Sequence, residues 1–151
     1  MVEAMINHCT IIDNTSFISE VMTGLDKSNL ILMSPDAGAY KWILKLADKI
    51  AFKGEVYNAG KSRKWVDNKS VLTQTVDRED FEGKDILLVD DICVYGGSAI
   101  GLAKILKTKN VGKLYFAASH MTVKNPRPEL FDLYDIVYTT NSKYETFDYP
   151  E

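Results

Sequence analysis

Two apolar runs, each followed by a short turn and a segment of helical period, constrain the possible folds of this chain more than any other feature. In residues 83–106, GKDILLVDDICVYGGSAIGLAKIL, the run Ile86-Leu87-Leu88-Val89 is continuous. A half-exposed strand alternates in polarity, so an unbroken run predicts a parallel strand covered on both faces. Ala99, Leu102, Ala103 and Leu106 then recur at i, i+3, i+4, i+7, the spacing of one helix face. Residues 30–41, LILMSPDAGAYK, repeat the order: an apolar strand, the turn Ser34-Pro35-Asp36-Ala37-Gly38, and a helix with Ala39, Ile43, Leu46, Ala47 and Ile50 on its inner face. Residues 55–59, 113–119 and 135–140 read as further strands, and 15–25 and 127–134 as helices. Alternating strands and helices predict an α/β fold with a mostly parallel central sheet and helices on both faces. Pro126 and Pro128 mark a turn rather than a linker, no repeat is visible, and residues 1–151 read as one domain.

Chemistry gathers where these strands end. Asp90 and Asp91 stand at the carboxyl end of the predicted strand, the edge at which open α/β sheets bind ligands. Gly96 and Gly97 allow consecutive N–H groups to curl around an anion, and Ser98 adds a hydroxyl at a helix start, where the dipole favours negative charge. An acid pair or a Gly-Gly turn alone is common in connections that bind nothing; the four features in succession describe a site for a sugar phosphate. Asp36 serves equally well as a helix N-cap or as a metal-shell carboxylate. Neither glycine turn has the G-x-G-x-x-G spacing of a dinucleotide fold, and the GGS turn lacks the lysine of a Walker A loop.

The stretch VDDICVYGGS, residues 89–98, resembles the PRPP-binding signature of type I phosphoribosyltransferases: a strand ending in two acids, three variable residues, a hydroxyl residue, then a short glycine turn. The resemblance implies that Asp90 and Asp91 hold the ribose hydroxyls and that Val94, Tyr95, Gly96, Gly97 and Ser98 hold the 5-phosphate. Tyr95 departs from the pattern, standing where the family usually has threonine. The turn SPDAG closely resembles the pyrophosphate loop of ribose-phosphate diphosphokinases, whose carboxyl-terminal half shares the phosphoribosyltransferase fold. It implies that Ser34, Asp36, Ala37 and Gly38 face pyrophosphate, with magnesium at Asp36 and Lys41 near the same charge. Residues 57–80 contain Lys61, Arg63, Lys64 and Lys69 beside Trp65 and show no helical period. By residue type this is a solvated hairpin or surface loop; the resemblance implies a flexible loop that closes over pyrophosphate, with Lys61 and Arg63 as its basic pair.

Composition excludes several classes. With 21 acidic against 18 basic residues the net charge is −3, and a nucleic-acid partner requires a basic face. No apolar run approaches the roughly 20 residues of a membrane helix, and MVEAMINHCT lacks the parts of a signal peptide, so the expected compartment is the cytoplasm. Cys9 and Cys93 are too few for a disulfide framework or a zinc site, and Cys93 reads as buried filler. His120 falls at the same sheet edge as the acid pair. Tyr138, Tyr144, Phe147 and Tyr149 are candidates either to stack on a base or to cover the core.

The resemblance implies a magnesium-dependent phosphoribosyltransferase, expected to be homo-oligomeric, that binds PRPP and displaces pyrophosphate with a nucleobase or other nitrogen acceptor. The alternatives are a diphosphokinase-like half whose ATP-binding half lies on another chain, taking ribose 5-phosphate, or a PRPP-sensing protein without turnover.

Overall fold

The computed structural model describes residues 13–66 and 69–144, with backbone alone for residues 63–72. Its elements run α1 (Thr15–Thr23), β1 (Leu30–Ser34), α2 (Ala37–Lys49), β2 (Glu55–Asn58), β3 (Gly60–Val66), β4 (Lys69–Thr75), β5 (Asp85–Cys93), α3 (Gly97–Leu106), β6 (Leu114–Met121), α4 (Glu129–Leu133) and β7 (Ile136–Thr139). Five strands pair in parallel in the order β2-β1-β5-β6-β7. The chain moves outward from β1 to β2 on one side and returns to the other side of β1 as β5. The crevice at the carboxyl ends of β1 and β5 is therefore the topological switch point, where ligands sit in open α/β sheets.

The continuous apolar runs are explained by burial on both faces. Leu30 and Leu32 of β1, with Leu87 and Val89 of β5, pack with Ile18, Val21 and Met22 of α1 and Ile43 and Leu46 of α2. Their alternates Ile31, Met33, Ile86 and Leu88 pack on the opposite face with Ala99, Leu102, Ala103 and Leu106 of α3 and Leu130 of α4. Leu87 and Leu88 are fully sealed, so truncating either to alanine costs roughly 2–5 kcal/mol. The Tyr134 hydroxyl donates to the carbonyl of Ala99 at 2.7 Å, tying the chain after α4 to the first turn of α3.

One expectation changes in detail. Asp90 and Asp91 lie within β5 and not after it, because β5 pairs with β6 as far as Cys93↔Met121 while its pairing with β1 ends at Met33↔Leu88. Both acids thus overhang the end of β1. Of the two readings left open for residues 57–80, the hairpin is the one observed: β3 pairs antiparallel with β4, in register from Gly60↔Thr75 to Val66↔Lys69. Buried Ala59 alone separates β2 from β3, and a Cβ on Gly60 would collide with Thr75 Oγ1. Val76 and Phe81 re-enter the core below the hairpin.

Candidate active site

The turn between β1 and α2 is built around Asp36. Its Oδ1 accepts from the N–H groups of Gly38 and Ala39 at 3.0 and 3.1 Å, which caps α2. Its Oδ2 faces the other way and meets the Lys61 ammonium of β3 at 3.3 Å. Burial raises the pKa of this carboxyl, but the Ala39 N–H, Lys61 and the Gly38 N–H together outweigh it and hold the group below the ordinary range. The two roles left open for Asp36 do not compete for one atom, since Oδ1 caps the helix while Oδ2 meets Lys61. Ser34 is fully buried and its hydroxyl donates to the Asp36 carbonyl at 2.5 Å, which helps to shape the turn. Lys41 is exposed on α2 and lies outside the lining of the crevice.

Across the switch point, Asp90 and Asp91 face one cavity with Asp36, Gly38 and Ala39; its volume is about 780 Å³. Asp90 is half-buried and its carboxyl is pushed up to about 7, first by burial, then by its contact with the Asp91 side chain and the negative charges of Asp91 and Asp36. Asp91 is exposed. The crevice is thus a concentration of negative charge that a cation or a set of hydroxyl donors would relieve.

The turn after β5 completes the arrangement. Gly96 sits at φ +79°, the left-handed region, and a Cβ there would press on Leu130 at 3.3 Å. Gly97 has no such neighbour within 4 Å. No side chain caps the start of α3, whereas α2 is capped by Asp36. Of the two helix N-termini, only that of α3 keeps its N–H groups open to an anion. Val94 and Tyr95 are exposed, and Ser98 is half-buried at the helix start. Tyr95 is fixed through its carbonyl, which accepts from the Arg127 N–H at 3.3 Å. Cys93 is 4% exposed and burial, with the charge of Asp90, pushes its thiol up to about 11, which suits filler and not a nucleophile.

Lys61 reaches Asp36 but, like Lys41, is not part of the crevice lining; Arg63 lies on β3 with its side chain outside the described residues. His120 lines the cavity, with Nδ1 2.8 Å from Ser142 Oγ. Tyr138 packs on the core and lines a separate cavity along β7, and Tyr144 stacks under Lys143. Phe147 and Tyr149 lie outside the described residues. Asn14, Phe17, Trp42, Ser119 and Thr140 also line the cavity, although nothing in their local sequence singles them out. Among the described residues, no three metal-ligating side chains cluster as a metal site made by protein alone.

Residues 6–150 match the phosphoribosyl transferase domain family. The chain belongs to that family. The domain is 29% identical over 123 residues to a ribose-phosphate pyrophosphokinase of Chlorobaculum tepidum, covering 80% of this chain and 36% of the relative. It is 33% identical over 101 residues to the enzyme of that name from Aquifex aeolicus, covering 67% and 31%. This phosphoribosyl transferase domain therefore spans about a third of the length of these curated relatives. Among solved structures, the phosphoribosylpyrophosphate synthetase of Mycobacterium smegmatis superposes with a TM-score of 0.63 at 22% identity, over 85% of this chain and 40% of that one. The xanthine-guanine-hypoxanthine phosphoribosyltransferase of Helicobacter pylori superposes at 0.61 and 15% identity, over 87% and 82%. The fold is that of the type I phosphoribosyltransferases, with the mostly parallel sheet that the apolar runs predict. No described helix is long and apolar enough to cross a membrane.

Proposed function

We propose that this domain is a magnesium-dependent phosphoribosyltransferase that binds PRPP and transfers its ribose phosphate to a nitrogen acceptor, releasing pyrophosphate. The observation that carries this is the placement of three elements at one switch point: the uncapped start of α3, the overhanging Asp90–Asp91 pair, and the Asp36 turn touched by Lys61. Each matches one part of PRPP. The α3 turn suits the 5-phosphate through the N–H groups of Gly97 and Ser98, the acid pair suits the ribose hydroxyls, and the Asp36 turn with Lys61 suits the pyrophosphate. Magnesium is commonly held by one or two carboxylates together with substrate phosphates, which fits Asp36 Oδ2 and the acid pair, and it would neutralise the departing pyrophosphate.

In the reaction the bond from ribose C1 to the pyrophosphate oxygen breaks with its electron pair leaving on pyrophosphate. A bond from C1 to the acceptor nitrogen forms, and that nitrogen gives up its proton to the departing pyrophosphate or to water. No covalent enzyme intermediate is required, so the work of the chain is positional and electrostatic. A cytoplasmic location and assembly into a homo-oligomer belong to the same reading.

A second reading is favoured by the relatives' names: the domain is the catalytic half of a ribose-phosphate diphosphokinase, acting with an ATP-binding half on another chain. The exposed Tyr95 favours a third, a PRPP sensor without turnover. One experiment separates them. The protein is incubated with PRPP, magnesium and a panel of bases while pyrophosphate release is followed, and ATP with ribose 5-phosphate is run in parallel. Base-dependent release supports the transferase; PRPP formation from ATP supports the diphosphokinase. PRPP binding in calorimetry with neither reaction supports the sensor. Equal PRPP binding by the Asp90→Asn, Asp91→Asn double variant would remove the basis of all three.

A further inference from the structure

The β3–β4 hairpin is held against α3 at one unusual contact. Among its described side chains, Lys61, Ser62, Thr73 and Thr75 are open to water, whereas Gln74 is only 9% exposed. Gln74 is sealed against α3, where a Cβ built on Gly101 would stand 2.5 Å from its Oε1. A glycine inside a ten-residue helix weakens that helix, and here the missing side chain is the notch that admits the glutamine. The amide is poorly served there. Its Nε2 is buried without a hydrogen-bond partner, a loss that an apolar side chain of the same shape would avoid. Two residues thus break local rules at a single contact, as residues do where function sets the choice.

Register shows what this contact positions. Gln74 pairs directly with Lys61, and residues opposite each other in an antiparallel pair send their side chains to the same face, with Cα atoms about 5 Å apart. One rung of the hairpin therefore touches both the cap of α2, through Lys61 and Asp36 at 3.3 Å, and the second turn of α3, through Gln74. The Lys61–Asp36 pair is too open to water to hold the hairpin by itself. Further along β4 and beyond it, Val76 enters the core, and Arg78 lies 4.9 Å over the Phe81 ring and donates to both oxygens of Glu55 at 3.0 and 2.8 Å. These anchors fix where β4 ends. Gln74 is the anchor at the level of Lys61.

We infer that Gln74 is a positioning residue: seated in the Gly101 notch, it holds the hairpin on α3 and so sets Lys61 over Asp36, and its unpaired amide keeps the seat weak enough to be left and retaken. The effect of the seat on turnover rests on the phosphoribosyltransferase reading; the seat itself does not.

Amide hydrogen exchange on the full chain, read separately for β3–β4 and for the central sheet, tests the seat. Gly101→Ala crowds Gln74 out while giving α3 a better helix former, so the hairpin should exchange about fivefold faster or more while the melting temperature stays at or above the parent's. Gln74→Met keeps the shape and removes the unpaired donor, so the hairpin should exchange about fivefold more slowly or less. Adding Gln74→Ala to Gly101→Ala relieves the crowding and should slow exchange again relative to Gly101→Ala alone. Kinetics then test the action through Lys61. Gly101→Ala should lower kcat about tenfold with ribose 5-phosphate affinity within about twofold, and in a Lys61→Ala background it should lower kcat no further. If Gly101→Ala fails to fold, Gln74→Met carries the test, since it adds no crowding. Unchanged hairpin exchange in Gly101→Ala, or faster exchange in Gln74→Met, would overturn the seat. An effect of Gly101→Ala on turnover that persists undiminished without Lys61 would overturn its positioning role. Failure of the transferase reading is separable: a chain with the expected exchange pattern that neither binds PRPP nor turns over keeps the seat and loses that reading.

Discussion

The Lys61 ammonium lies 3.3 Å from Oδ2 of Asp36, so the β3–β4 hairpin already touches the turn between β1 and α2. The two side chains are 25% and 32% exposed, and a pair so open to water contributes about 1 kcal/mol or less. A ligand phosphate can therefore take Lys61 away from Asp36 at little cost. In the proposed reaction such an exchange would place the ammonium on the leaving pyrophosphate, where it would act chiefly as charge develops. Lys61→Ala should accordingly lower turnover by about 10²-fold, the scale of losing one charge-stabilising donor, and change affinity for ribose 5-phosphate little. Steady-state kinetics beside calorimetry decides it: lost ribose 5-phosphate affinity with unchanged turnover would place Lys61 elsewhere.

Asp36 divides its oxygens between structure and site, and two substitutions separate the functions. Asparagine keeps an acceptor oxygen for the Gly38 and Ala39 N–H groups and is as good an N-cap as aspartate, so Asp36→Asn should unfold within about 0.5 kcal/mol of the parent. Asp36→Ala should cost about 1 kcal/mol. Both remove the charge at Oδ2, so if Asp36 holds magnesium as proposed, both should lose turnover alike. Urea melts and activity against magnesium concentration test the split. A fully active Asp36→Asn would leave Asp36 with capping alone.

Asp90 links the site to stability through pH. Its carboxyl is pushed from an ordinary 3.8 up to about 7, so between these values the folded chain holds a proton that the unfolded chain has released. Stability from this group is complete below about pH 4 and is lost as pH rises through about 7. The lowered carboxyls, Asp13 at about 2 among them, act in the opposite sense and below that window. Thermal unfolding of Asp90→Asn from pH 4.5 to 8.5 should thus show a shallower fall than the parent. At pH 8 the variant should melt higher by about 3 °C or more, given roughly 2–4 °C per kcal/mol for a chain of this size. Parallel curves would mean that Asp90 ionises normally.

The sheet was legible because burial on both faces leaves a direct mark in sequence, as in Ile86-Leu87-Leu88-Val89. Asp36 and the Asp90–Asp91 pair were legible because each lies in a short contiguous motif at a strand end. The extension of β5 past Asp91 was hidden, since the polar residues that end an apolar pattern can still pair with β6. The turn-closing role of Ser34 was hidden, because a serine that closes a turn and one that binds phosphate look alike until the hydroxyl is seen bonded to the Asp36 carbonyl. Phe17, Trp42 and Ser119 belong to three elements far apart in the chain, and only the docking of α1 and α2 on one face of the sheet brings them to one cavity.

The paired glycines before α3 should respond in opposite ways to one added methyl group. Gly96 adopts φ +79° and faces Leu130, so Gly96→Ala should cost about 1–2 kcal/mol from backbone strain, before any adjustment of Leu130. Gly97 is free of both constraints, with no atom within 4 Å of an added Cβ. Alanine there begins α3 with a better helix former, so Gly97→Ala should melt at or above the parent temperature. Yet this methyl would stand at the open helix start, in the space assigned to the 5-phosphate. Ribose 5-phosphate and PRPP should each bind Gly97→Ala at least tenfold more weakly, about 1.4 kcal/mol, in a protein no less stable than the parent. Calorimetry at matched folded fraction measures this, and undiminished affinity would move the phosphate away from the start of α3.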